Sequence, residues 1–251
     1  MKIIIISKNE NSKSIGYLLE FFKSFDIYLV SPNAKNSIYE RSNLTKVNDN
    51  ELLDFNKLKA ELQIDKFGWY YQQFLKYKSV LKFEGNDFLI IDGDTIIKKE
   101  LAKENLLCTT NKSTDERYEK LYLKFFKNHT LYGKSFITNQ MVFNKQYLME
   151  MLDKIEKNFS KNWILAISDL IKSNKDILFS EYQTYAEYLL NTKNNIKVQN
   201  VKVFRRMDLI NDSIENALKK YDILAFEHHH KTGILRKLRA KLFYLMGKSL
   251  G

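Results

Sequence analysis

The chain of 251 residues is poor in the residues that staple or interrupt a fold: one cysteine, one proline and eight glycines. A single thiol, Cys108, cannot close an intramolecular disulfide, and it excludes a cysteine-rich zinc or iron–sulfur centre. Its apolar neighbours mark it as a core thiol rather than a nucleophile. So little proline and glycine excludes collagen-like or low-complexity character. No apolar run reaches the roughly 18 residues of a spanning helix. The opening Met1-Lys2-Ile3-Ile4-Ile5-Ile6-Ser7 carries too short an apolar run for a signal peptide. A cytoplasmic protein is expected, either free or peripheral on the inner face of the cell membrane. There is no G-x-G-x-x-G or phosphate-loop motif, which counts against a dinucleotide dehydrogenase and a P-loop ATPase or kinase. No helix-turn-helix, zinc-finger or RNA-binding sheet signature occurs, so nucleic acid is not an expected partner. No internal repeat is evident.

What is present is an ordinary globular composition, 44% apolar and 28% charged, enriched in aromatics with 17 Phe and 15 Tyr. The length suits one large domain, or one domain with a small appendage. The net charge of +11 comes mostly from dispersed lysines. It reads as a solvated surface, or as attraction to an anionic membrane or to phosphorylated substrates.

Along the chain, Ile3–Ile6 and Ile27–Val30 read as buried strands, with a helix over residues 14–24 between them. Ser31-Pro32-Asn33 punctuates the second strand. This alternation predicts an α/β fold with a mixed central sheet flanked by helices. The stretch from Gly68 begins a helix that sets Trp69, Gln72, Gln73 and Lys76 on one side. A helix is expected over residues 116–128 and a strand with a polar interruption over 136–143. A helix capped near Asn144 and a further short one, from Trp163 to Leu170, follow. Another opens at Ser180, a late strand spans 198–204, and a helix covers 212–220.

The most informative segment is Phe88-Leu89-Ile90-Ile91-Asp92-Gly93-Asp94-Thr95. A buried-strand pattern ends on two carboxylates one residue apart. Glycine between them lets the backbone turn or approach a ligand closely. Hard carboxylate oxygens at a strand end suit Mg²⁺ or Mn²⁺ on a diphosphate. The bland alternative is a solvated strand-end turn.

The strand with Asp92-Gly93-Asp94 resembles the Asp-x-Asp motif of GT-A glycosyltransferases. Three blocks occur in order: Gly68-Trp69-Tyr70-Tyr71-Gln72-Gln73, Phe88–Thr95 and Ser180-Glu181-Tyr182-Gln183-Thr184-Tyr185. Together they resemble a DUF6492-like family of bacterial glycosyltransferase-like proteins associated with surface polysaccharides. The resemblance covers about residues 1–230 and implies a GT-A-like nucleotide-diphospho-sugar transferase fold. It also implies a Mn²⁺ or Mg²⁺ cofactor and a donor that is UDP-linked, with a CMP-sugar left open. By this resemblance Asp92 and Asp94 meet the metal and donor, and Ser7 and Lys8 approach the nucleotide base or ribose. Glu181 resembles the acidic residue at a helix start that serves as base in inverting enzymes; Asp169 is the competing carboxylate. His228, with His230 in reserve, resembles a late histidine of the metal shell.

Other candidates carry two readings. Gln73 is a helix-surface amide or a substrate contact. Lys76, Arg205 and Arg206 form a basic face or meet the diphosphate. Thr138, Asn139 and Gln140 bind loops or sugar hydroxyls. Trp163 is core, or a platform for a sugar face.

The last residues, 231–251, form a basic amphipathic tail with Ile234, Leu235, Leu238, Leu242 and Leu245 along one side. Such a helix docks on its own domain or a partner subunit, or lies in a membrane interface. The expectation is a catalytic unit over residues 1–230 that moves sugar to a surface glycan or lipid-linked acceptor, with inversion. The rivals are a metal-dependent phosphohydrolase or nucleotidyltransferase, and a non-catalytic binding protein retaining the fold. Oligomeric state is not legible.

Overall fold

The computed structural model describes residues 1–226 and 234–247, the side chains of 234–236 excepted. The chain opens with β1 (Lys2–Ile6), α1 (Lys13–Phe21), β2 (Ile27–Ser31), β3 (Leu44–Asn48), α2 (Phe55–Leu62) and α3 (Phe67–Lys82). It continues through β4 (Asp87–Asp92), β5 (Thr95–Ile97), β6 (Leu106–Thr109), α4 (Glu116–Phe125), β7 (Gln140–Asn144), α5 (Lys145–Phe159), α6 (Trp163–Ser173) and α7 (Glu181–Thr192). It ends with β8 (Lys197–Asn200), β9 (Val203–Arg205), α8 (Ile214–Lys220), β10 (Ile223–Ala225) and α9 (Ile234–Leu245).

The main sheet has the order β3-β2-β1-β4-β7; its first four strands are parallel and β7 runs antiparallel at the edge. Side chains alternate across a strand, so β1 feeds two cores. Ile4 and Ile6 join Val30, Phe88, Ile90 and the aromatic side chains of α3, α5 and α7. Ile3 and Ile5 join Leu29, Leu89, Ile91 and the apolar face of α1. Burial on both faces explains why the first and fourth strands read as unbroken apolar runs. Two small sheets flank the main one: β5-β10-β9, and the parallel pair β6-β8.

The cap residues act as their sequence suggests. Asn144 accepts from the Tyr147 amide at the start of α5, and Ser180 accepts from the Gln183 amide at the start of α7. The strand expected over 136–143 begins only at Gln140, because Asn139 takes a left-handed backbone with φ 62°. The late strand divides into β8 and β9, which join different sheets. Cys108 is buried, and burial pushes its thiol pKa up to about 11, as an inert core thiol requires.

In the last described segment, α9 packs through Tyr244 onto a small core with Phe204 and Tyr221, and Ala240 on the same helix is buried as well. Among the described residues, no helix is long and apolar enough to cross a membrane.

Candidate functional site

β1 lies between β2 and β4, so the chain leaves β1 toward one side and approaches from the other at β4. Open parallel sheets bind ligands in the crevice at the carboxyl ends of such neighbouring strands. Ile6 pairs with Asp92, which brings the turn after β1 against the turn after β4. The Gly93 amide donates to the Ile6 carbonyl at 2.8 Å, and the Ser14 hydroxyl donates to the Gly93 carbonyl at 2.6 Å. A Cβ at Gly93 would lie 2.4 Å from Ser7 Cβ, so only glycine allows this approach. The Asp94 carbonyl accepts from the Phe226 amide just beyond β10, which fixes the second carboxylate residue to the small sheet.

Above this junction lies a cleft of about 1020 Å³. Its lining includes Ser7, Lys8, Gln73, Lys76, Asp92, Gly93, Asp94, Asn139 and Glu181, residues that come from both halves of the chain. Trp69, Gln72 and Arg205 also line it. Asn9, Asn11, Lys13 and Ser14, around the start of α1, form a wall that sequence reasoning did not identify. The short turn between β1 and α1 was its available signal. Tyr182 and the segment 207–214 were missed as well.

The floor is a buried ionic cluster. Lys76 Nζ lies 2.5 Å from Asp92 Oδ1 and 2.6 Å from Glu181 Oε1. Lys76 is 4% exposed and Glu181 3%. The helices α3 and α7 supply the two ends, from positions 105 residues apart. The Tyr182 hydroxyl donates to Asp92 Oδ1 at 3.3 Å, and the Lys76 ammonium stands 4.3 Å from the centre of the Tyr182 ring. Tyr77 donates to the Glu181 carbonyl, and Gln73 Oε1 accepts from the Glu181 amide. Burial alone would lower the Lys76 pKa, but the Asp92 and Glu181 carboxylates hold it well above its ordinary value. Lys76 therefore stays charged. Burial raises the Glu181 pKa; the Lys76 ammonium opposes that rise and the Asp92 carboxylate adds to it. Beside this cluster, Gln73 Nε2 is buried without a hydrogen-bond partner.

Other sequence candidates fall elsewhere. Trp163 is 2% exposed and packs against Phe74 and Tyr77, so it offers no face to a sugar. Asp169 pairs with Lys161 on the surface of α6. Arg206 pairs with Asp208. Thr138 donates to the Gln140 carbonyl inside the fold, and Gln140 is likewise buried, whereas Asn139 between them lines the cleft and donates to Thr95 Oγ1 at 3.3 Å. His228 and His230 lie outside the described residues.

Among the described residues, no three His, Cys, Asp or Glu side chains gather into a ready metal cage. A hard cation bound largely through substrate phosphates needs only one or two protein carboxylates. Asp92 and Asp94 meet that requirement. Asp92 comes with one oxygen already engaged by Lys76.

The parallel sheet, the reversed edge strand and the cleft at the ends of β1 and β4 define a GT-A-like α/β fold. A solved galactosyltransferase, LgtC in complex with donor and acceptor sugar analogs, has a similar fold: TM-score 0.50 at 12% identity, over 98% of this chain and 95% of that one. The glycosyltransferase GlyE of Streptococcus pneumoniae TIGR4 aligns at 13% identity and TM-score 0.39, over 98% of this chain and 60% of that one. A glycosyltransferase involved in glycosylation of the major capsid of PBCV-1 aligns at 11% identity and TM-score 0.39, over 96% and 100% of the two chains. No curated protein matches the chain. The model of a family of unknown function, DUF6492, matches residues 2–222, and the chain belongs to that family. The likeness read from the three sequence blocks thus holds for family and fold.

Proposed function

We propose that this protein is a glycosyltransferase moving a sugar from a nucleotide-diphosphate donor, UDP-linked, to a hydroxyl of a surface glycan or lipid-linked acceptor. The observation that carries the reading is the placement of Asp92-Gly93-Asp94. The triplet ends β4, touches the turn after β1, and faces a cleft large enough for a nucleotide sugar. The catalytic unit is residues 1–230, and 231–251 form its tail.

In this reading the wall around Ser7 and Lys8 takes the nucleoside. Lys13 and the amides at the start of α1 bring positive potential to the diphosphate. Asp94, with the second oxygen of Asp92, would hold Mn²⁺ or Mg²⁺, whose contribution is to neutralise charge on the departing diphosphate. His228 would complete that shell. Gln73 Nε2, buried and unpaired, is suited to a sugar hydroxyl, and Asn139 lines the same cleft.

Glu181 is the base. Burial raises its pKa above the ordinary carboxylate value, the direction that suits a carboxylate that must accept a proton. Lys76 fixes it in place. Glu181 takes the acceptor hydroxyl proton as that oxygen bonds to the anomeric carbon. The bond from that carbon to the phosphate oxygen breaks, and the nucleoside diphosphate leaves with the electron pair. Attack from the opposite face gives inversion.

The test is a panel of nucleotide sugars with Mn²⁺ or Mg²⁺, read by turnover on a saccharide acceptor. One donor is expected to support transfer, and Glu181→Gln to reduce it at least about 100-fold while donor binding persists. Full transfer by Glu181→Gln would remove Glu181 as base. Absence of binding by every donor would remove the transferase reading.

A further inference from the structure

The outer face of α9 has no role in the cleft. Leu238, Leu242, Leu245 and Met246 recur at spacings that place them on one stripe of the helix, and all four are exposed, Leu245 by 76% and Leu238 by 58%. Ala240 and Tyr244, on the opposite side, are the buried anchors. The helix is therefore already docked on its own domain by one face, and the apolar stripe faces outward. Lys237 and Lys241 flank the stripe on one side and Arg239 on the other; all three are exposed. No acidic residue occurs between positions 234 and 247.

We infer that this stripe is a docking surface for an anionic phospholipid bilayer. An apolar ridge bordered on both sides by cations, without a carboxylate, matches the acyl–headgroup boundary: leucines enter the acyl region and the cations meet lipid phosphates. The chain's +11 charge adds long-range attraction. A convex ridge carries no groove to grip a peptide.

The anchor also sets where the cleft lies. Tyr244 donates from its hydroxyl to Asp212, and Asp212 lines the cleft. Docking through α9 thus holds one rim of the cleft about one helix diameter, roughly 10 Å, from the membrane surface. Resting on the transferase reading above, this selects the lipid-linked acceptor over a soluble glycan.

The experiment is flotation of the full chain with phosphatidylcholine vesicles, with and without phosphatidylglycerol. Anionic vesicles are expected to bind the protein about 100-fold more tightly than neutral ones, from three cations at the surface. The triple change Leu238→Ser, Leu242→Ser, Leu245→Ser is expected to abolish binding with unchanged Tm. Lys237→Gln, Arg239→Gln and Lys241→Gln together should reduce the preference for anionic vesicles at least about 10-fold, the remainder coming from the rest of the basic chain. No binding by the unaltered protein, or equal binding by the leucine variant, overturns the proposal. So does a concentration-dependent dimer that the leucine variant loses while vesicles stay unbound. Calorimetry of donor binding on the same samples separates the two claims. Docking without any donor binding breaks the transferase reading alone; donor binding without docking breaks only the membrane surface.

Discussion

The floor of the cleft and the outer face of α9 invert the usual partition of side chains. Inside, Lys76 and Glu181 are nearly solvent-free and charged, with Asp92 at their edge. Outside, three leucines and a methionine stand in water. Charged groups are rarely buried without a partner, and contiguous exposed leucines are a liability in a soluble chain. In the floor, the Lys76 ammonium bridges the Asp92 and Glu181 carboxylates, Tyr182 donates to Asp92, and Tyr77 and Gln73 hold the Glu181 backbone, so the cluster is fixed before any ligand arrives. On α9 no described residue covers the exposed stripe. The first is a candidate site organised in advance; the second is the face proposed above to meet an external surface.

The largest effect expected from this contrast is on stability. Lys76→Met leaves the buried Glu181 carboxylate and the half-buried Asp92 carboxylate without their cation and should cost roughly 3–5 kcal/mol, read as a lower urea midpoint. An unchanged midpoint would mean the cluster is not held by Lys76. Gly93→Ala comes next, since its Cβ must displace Ser7; a loss of about 1–3 kcal/mol is expected. A smaller pH effect separates two carboxylates of α7. Glu181 has a cation, whereas Glu187 has only the Tyr132 amide and the Gln183 side chain. Burial raises the Glu187 pKa from 4.5 to about 6. The folded state then holds this proton more tightly than the unfolded chain, so the Glu187 contribution falls as pH rises from 4.5 to about 6. The loss amounts to about 2 kcal/mol. Glu187→Gln should flatten that part of the stability–pH curve, and an unchanged curve would refute the assignment. Smallest of all, the three-leucine variant of α9 should shift unfolding by no more than about 0.5 kcal/mol, because those side chains are exposed in the folded state. A clearly larger loss in calorimetry would show that they pack against the protein.

Much of this was legible in local patterns. Four apolar residues followed by Asp92-Gly93-Asp94 specify a buried strand ending at carboxylates, and the spacing of Trp69, Gln72, Gln73 and Lys76 puts them on one helix face. Ser180 and Asn144 announce helix starts. The short strands β5, β6 and β10 were not legible, since three or four residues set no period and their pairing is non-local. The ion pair of Lys76 with Glu181 joins distant segments, so no spacing reveals it. Trp163 kept both a core and a sugar-platform reading, because sequence does not show which side of an amphipathic helix a ring will take; the structure buries it in the core. The outward direction of the leucine stripe on α9 was invisible for the same reason.

The most direct test of the central claim is a calorimetric titration of the active nucleotide sugar, with and without Mn²⁺, into the unaltered protein and Asp94→Asn. The account predicts binding strengthened by Mn²⁺ and weakened about 100-fold or more by the substitution. Equal affinity in both proteins, indifferent to Mn²⁺, would contradict it.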